Sequence, residues 1–270
     1  MICFAAVVPH SPLLIPTINR DNLAKTKKTI DSLEMISRII SEVGPEALIM
    51  ISSHGPVLED AFSLNLSQEY FGDFKTFGDL TTKLELDGNL ELNYKIKENF
   101  ETNFSDIPLT MITEPNLDYS FSVPLYYFIK KYKEFSLMPV GSCGLDYQKH
   151  LEFGQKLKEE LILNNKKVGV IVSANFCNCS EEETSKNIFP GKNFDQKLIK
   201  LIQNRQINQF LNLDQKLIKK FKEVSLPSIL VLLGILKDLS YKTEILSYET
   251  PFGAGQAVIN FNFNSNISNI

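Results

Sequence analysis

The chain has 270 residues, 43% of them hydrophobic and 22% charged, and a formal net charge of -4, the make-up of a globular protein able to bury a substantial core. That charge balance lacks the basic excess that binding a phosphate backbone draws on, so nucleic acid is not an expected partner. The apolar run Ile2 to Val8 has no basic segment before it, and the most apolar later stretch, Ile229 to Leu236, falls far short of the ~20 residues a membrane span requires. A cytoplasmic protein without a membrane partner is expected. Cys3, Cys143, Cys177 and Cys179 do not make a disulfide framework in a chain of this length, and Cys177-Asn178-Cys179 has the wrong spacing for a zinc knuckle.

Ile2 to Val8 is a continuous β-branched and apolar run, which reads as a buried strand delivering His10 just past its C-terminal end. Pro9 and Pro12 stiffen the backbone around that histidine. A helix follows from about Asp21 to Val43, its start capped by Asn19 or Asp21 and its end set by Gly44-Pro45. Ala47 to Ile51 is a second buried strand, and His54 again lies just beyond its end. Residues 57 to 95 alternate in the manner of strands at Phe62 to Leu66 and Lys83 to Leu86, with Asp87-Gly88 as a hairpin signal, so a β insertion over one end of the sheet is expected. Its aromatics Tyr70, Phe71, Phe74 and Phe77 serve hairpin packing or wall a pocket for a flat substrate.

A short helix from Leu90 to Phe104 leads to a strand at Ile107 to Ile112. The next helix opens at Asp118 and runs to Lys131, with Pro124 placed in its first turn. Leu137 to Val140 is a strand and Tyr147 to Leu163 an amphipathic helix, on which His150 reads as a solvated residue among Lys149, Glu152 and Lys156. Val168 to Val172 is another buried strand, running into the polar loop Ser173 to Cys179. Helices fill most of Asp195 to Leu239, Lys242 to Leu246 is a strand leading to Glu249, and Gln256 to Phe263 is the last strand. The alternation of strand and helix predicts an α/β fold, a three-layer α/β/α arrangement around a central, mostly parallel sheet, with the insertion near residues 57 to 95. Residues 1 to 263 are read as one domain and 264 to 270 as a polar, frayed tail.

In open α/β sheets, ligands bind outside the carboxyl ends of the strands. His10, His54, the Ser173 to Cys179 loop and Glu249 all fall at such ends. Two neutral imidazoles and a carboxylate on separate loops match the facial triad of non-haem Fe(II) enzymes, and the same donors suit Zn(II) with an open position. Taken singly, His10 reads first as a hydrogen-bonded loop residue.

The motifs themselves carry a resemblance. Pro9-His10-Ser11-Pro12-Leu13-Leu14, Ser53-His54-Gly55-Pro56, Leu117-Asp118-Tyr119-Ser120 with Val123-Pro124-Leu125, Ser173-Ala174-Asn175-Phe176 and Tyr248-Glu249-Thr250-Pro251-Phe252-Gly253-Ala254-Gly255 together resemble the LigB-like catalytic subunits of class III extradiol dioxygenases, a fold shared with Memo proteins. The resemblance runs from Phe4 to about Ile259. It implies an Fe(II) site with His10, His54 and Glu249 as ligands, at which a catechol and dioxygen meet and the aromatic ring opens beside the diol. It also exposes departures: the family has histidines where this chain has Tyr119 and Asn178, and an acidic residue where it has Asn175. Tyrosine is a poor base near neutrality and asparagine exchanges no proton, so Tyr119 and Asn178 occupy the acid and base positions in altered form. Cys177 and Cys179 flank Asn178 and either pack in the core or join the site as thiolates, since Memo-like relatives place a cysteine among metal-site residues. The alternatives are a Memo-like protein that keeps the fold to bind a metal or a partner, and a metal-dependent hydrolase with the same ligands.

Overall fold

The computed structural model describes residues 1–20, 22–178, 191–221 and 225–263. Asp21, Cys179 and the tail 264–270, which figure in the sequence reading, lie outside the described residues.

Among the described residues, ten strands form two sheets. They are β1 Ile2–Val8, β2 Ala47–Ser52, β3 Phe62–Asn65, β4 Glu69–Phe74, β5 Asp79–Asp87, β6 Leu109–Ile112, β7 Ser136–Gly141, β8 Val168–Ser173, β9 Lys242–Glu249 and β10 Gln256–Asn262. The helices are α1 Lys27–Val43, α2 Leu90–Asn103, α3 Tyr119–Phe128, α4 Tyr147–Leu163, α5 Lys192–Gln203, α6 Ile207–Leu211, α7 Gln215–Lys220 and α8 Leu226–Leu236. The main sheet has eight strands in the order β6-β3-β7-β2-β8-β1-β10-β9. Its centre, β7-β2-β8-β1, is parallel throughout, and β10 runs antiparallel to both β1 and β9.

Sequence accounts for this centre directly. A strand with helices on both faces must be apolar on both, and β1, β2 and β8 are apolar along nearly their whole length. Their side chains divide by alternation: Ala5, Val7, Ile49, Ile51, Val170 and Val172 join one core cluster with α4 and α8, while Phe4, Ala6, Val8, Leu48, Met50 and Ile171 join a second with α1 and α3. The result is the expected three-layer α/β/α architecture. On the first face α4 and α8 cross so closely that a Cβ on Gly154 would stand 2.0 Å from the Val231 carbonyl oxygen, and one on Gly234 would stand 2.3 Å from that of Leu151.

Several local expectations are corrected. β3 is not part of a separate insertion but joins the main sheet, antiparallel to β7, because Phe62 and Leu64 are buried on the face of α4. The insertion proper is the β4–β5 hairpin. Its turn falls at residues 75–78, where Gly78 takes φ 88°, not at Asp87-Gly88. There a Cβ on Gly88 would stand 2.0 Å from the Ser67 carbonyl oxygen, so glycine is required, and the chain leaves for α2. α1 begins at Lys27 behind a 3-10 turn at Leu23–Thr26, so Asn19 does not cap it. Pro124 is the sixth residue of α3, inside the helix and beyond its first turn. His150 is fully buried: its ring nitrogens meet the Asp146 carbonyl at 2.8 Å and the Cys143 N–H at 3.4 Å, closing the loop between β7 and α4.

Candidate functional site

The parallel centre sends the C-terminal ends of β1, β2 and β8 to one edge, and β9, parallel to β1 through β10, ends there too. His10 follows β1 and His54 follows β2, and their rings meet edge to face with centroids 4.7 Å apart. Tyr119, at the start of α3, completes a cluster of three rings, 5.8 Å from His10 and 5.6 Å from His54.

Each imidazole is held by its Nδ1. His10 Nδ1 lies 3.0 Å from Ser173 Oγ, at the end of β8, and His54 Nδ1 lies 3.3 Å from the Tyr119 hydroxyl. Metal-binding histidines are commonly anchored in this way by an outer partner on one nitrogen, which leaves the other, here Nε2, for a ligand. The backbone is fixed as well: His10 N–H donates to Asn175 Oδ1 (3.2 Å) and His54 N–H to Ser52 Oγ (3.1 Å). His10 is buried. Burial first, and the neighbouring His54 second, push its pKa down to about 3 against the hydrogen bond to Ser173, so the ring is neutral near neutrality. Burial, then the Asp118 carboxylate, push the Tyr119 phenol up; it stays protonated and is no base.

Glu249 ends β9 on the same edge of the sheet, but its carboxylate has a different partner. Oε2 accepts from both the N–H and the hydroxyl of Thr29, each at 2.8 Å. Thr29 is in the first turn of α1, where backbone N–H groups have no helical acceptor, and Thr26 at the cap position makes no side-chain capping bond, its hydroxyl donating instead to the Leu23 carbonyl (3.2 Å). Glu249 therefore caps α1 from 220 residues away, where a negative charge meets the positive end of the helix. Among the described residues, no three or more His, Cys, Asp and Glu side chains converge closely enough to hold a metal ion. Two imidazoles thus face each other at this edge, while the carboxylate is engaged by the helix.

Asn178 is placed by its backbone, with its N–H on the Phe221 carbonyl (3.0 Å) and a bridge to Ala254. Cys177 is buried, and its N–H donates to Asp195 Oδ1 (3.0 Å). Asp195, whose pKa burial raises against hydrogen bonds from Cys177 and Tyr248, ties that loop to α5 and β9. The insertion reaches the site through one ring. Tyr70 and Phe74 are core residues, whereas Phe77, at the hairpin turn and partly exposed, packs edge to face on Tyr119 at 5.4 Å. Asp79 clasps the turn to the loop after His10 by accepting from Thr17 Oγ1 at 2.5 Å.

Sequence reasoning located His10, His54 and Tyr119, which the fold brings together. It missed Ser173 as a partner of His10 and Thr29 as the partner of Glu249. Ser173 stands at a strand's end beside the other candidates and was open to inference; Thr29 gives no local signal, since its role depends on a strand far along the chain.

A family model described as the catalytic LigB subunit of aromatic ring-opening dioxygenase matches residues 4–259. The chain belongs to the LigB family. Protein CA_C1420 of Clostridium acetobutylicum is 28% identical to it over 271 aligned positions, covering 96% of this chain. The chain spans 57% of that relative's length. The crystal structure of the uncharacterized protein JW3007 from Escherichia coli K12 superposes with a TM-score of 0.67 at 15% identity, covering 96% of this chain and 99% of that one, which identifies a shared fold. No helix among the described residues is long and apolar enough to cross a membrane.

Proposed function

We propose that this LigB-family chain is a non-haem oxidoreductase that acts on a small catechol-like aromatic with dioxygen, using a divalent metal, Fe(II) ahead of Zn(II), held by His10, His54 and Glu249. The observation that carries the proposal is the pair of imidazoles 4.7 Å apart, each anchored at Nδ1, in a chain whose family is described by aromatic ring opening. A bound ferrous ion supplies Lewis acidity and electron exchange with dioxygen. The protein's own groups bind and orient. Phe77 and Tyr119 present ring edges and faces beside the histidines, a surface suited to a planar ring. Glu249 would be the third donor, its Oε2 being held by Thr29.

Proton transfer is the weak half of this site. A positioned acid or base is worth about 10²–10⁴ in rate. Tyr119 holds its proton and is no base, and Asn178 only orients. Ring opening is therefore slow, and Tyr119→His accelerates it. The test is oxygen uptake by anaerobically Fe(II)-loaded protein over a panel of catechols, with ring-opened product followed by absorbance. Slow turnover that disappears in His54→Ala and rises in Tyr119→His is expected; no uptake by the iron-loaded protein with any catechol contradicts the proposal.

One observation favours a second reading. Glu249 is engaged as the cap of α1, which suits a Memo-like protein that keeps the fold to bind a metal or a partner without catalysis. A hydrolase using zinc and the same donors is separated from both by the metal the purified protein retains.

A further inference from the structure

We infer that Pro124 and Ser173 are positioning residues that hold His10 as the tautomer with its proton on Nδ1 and its lone pair on Nε2. The argument is a count of hydrogens. In an α-helix the carbonyl of residue i receives the N–H of residue i+4. For Ser120 in α3 that residue is Pro124, which has no N–H. Ser120 is buried, so its carbonyl cannot turn to solvent and needs another donor.

Ser173 supplies it, with Oγ donating to the Ser120 carbonyl at 2.5 Å. A serine hydroxyl carries one hydrogen, and this contact uses it. Toward His10 Nδ1, 3.0 Å away, Ser173 Oγ can only accept. Nδ1 must then carry the proton, and in the neutral ring Nε2 keeps the lone pair. A missing helix donor at position 124 is thereby relayed through two serines into the orientation of His10's basic nitrogen. Ser120 also joins the second histidine's loop, because its hydroxyl accepts from Ser52 Oγ (2.9 Å), which in turn accepts from His54 N–H. His54 itself is an internal control. Its Nδ1 partner is the Tyr119 hydroxyl, which can donate or accept, so its tautomer is not dictated.

The tautomer stands on hydrogen bonds alone; only its use, an Nε2 aimed at a metal, rests on the proposed function. The experiment is long-range ¹H–¹⁵N correlation on metal-free protein with ¹⁵N-histidine near neutral pH, His10 being assigned by comparison with His10→Gln, His54→Gln and His150→Gln. The wild type is expected to show His10 protonated at Nδ1. Ser173→Ala removes the acceptor and Pro124→Ala gives Ser120 a helical N–H that releases the Ser173 hydroxyl; both are expected to populate the Nε2–H form, while Ser173→Thr restores the wild-type pattern. In parallel, Co(II) titrated into Ser173→Ala should bind about 10–100-fold more weakly, with Ser173→Thr near wild type. A wild-type His10 protonated at Nε2, or an Nδ1–H form untouched in both Ser173→Ala and Pro124→Ala, overturns the inference. An Nδ1–H tautomer in a protein that takes up no metal supports this inference and overturns the metal reading.

Discussion

His10 and His150 are both buried, and burial lowers the pKa of each, to about 3 for His10. Their unfolded forms titrate near the ordinary value of 6.5. Between those values the unfolded chain binds protons that the folded chain refuses, so the stability these rings contribute is complete above pH 6.5 and is lost as pH falls toward 3. His10 contributes a slope of up to about 1 kcal/mol per pH unit in that window, and His150 adds in the same direction. Urea unfolding of metal-free protein from pH 7.5 to 4.5 should show this decline, and His150→Gln should flatten part of it; a midpoint independent of pH would contradict the account. Glu249 gives a second residue-scale test. Glu249→Ala should cost about 0.5–2 kcal/mol by uncapping α1, with faster amide exchange confined to the first turn, whereas Thr29→Val should leave any metal affinity largely intact. The burial of His150 had a signal in the sequence. It stands three, four and seven residues before Phe153, Gly154 and Leu157 and so shares their face, but the charges at Lys149 and Glu152, adjacent in sequence and on other faces, concealed it.

At the scale of elements, the β4–β5 hairpin reaches the ring cluster through its turn. Asp79 accepts from Thr17, from Thr81 and Thr82 through backbone and hydroxyl groups, and these bonds hold its carboxyl well below the usual range. Asp79→Ala should lower stability by about 1–3 kcal/mol and loosen Phe77 from Tyr119, read as faster exchange at residues 75–79. Phe77→Ala should raise KM for an aromatic substrate more than it lowers kcat. On the opposite side of the sheet the α4–α8 crossing tolerates no Cβ. Gly154→Ala or Gly234→Ala should cost about 1–3 kcal/mol by overpacking, measured by chemical denaturation. The turn at residues 75–78 was not legible because Asp87-Gly88 is the stronger local signal. A dipeptide rule cannot see that Gly88 is required where the chain passes the Ser67 carbonyl.

At the scale of the molecule, the sheet's centre was legible because strands covered on both faces have to be apolar throughout, and each histidine's position just past a strand's C-terminal end put both at the carboxyl edge. What sequence could not supply is the set of long-range hydrogen bonds that turn those side chains: Ser173 on His10, Tyr119 on His54, and Thr29 on Glu249. On the proposed function the first two prepare imidazoles for a ligand, and the third engages the carboxylate elsewhere. The central claim is that this edge of the sheet holds a metal. Elemental analysis of anaerobically purified protein beside His10→Ala and His54→Ala tests it most directly. The account predicts about one Fe(II) per wild-type chain, lost in both variants that remain folded; a metal-free wild type that also fails to take up Fe(II) when it is supplied, or metal unchanged in both variants, would contradict it.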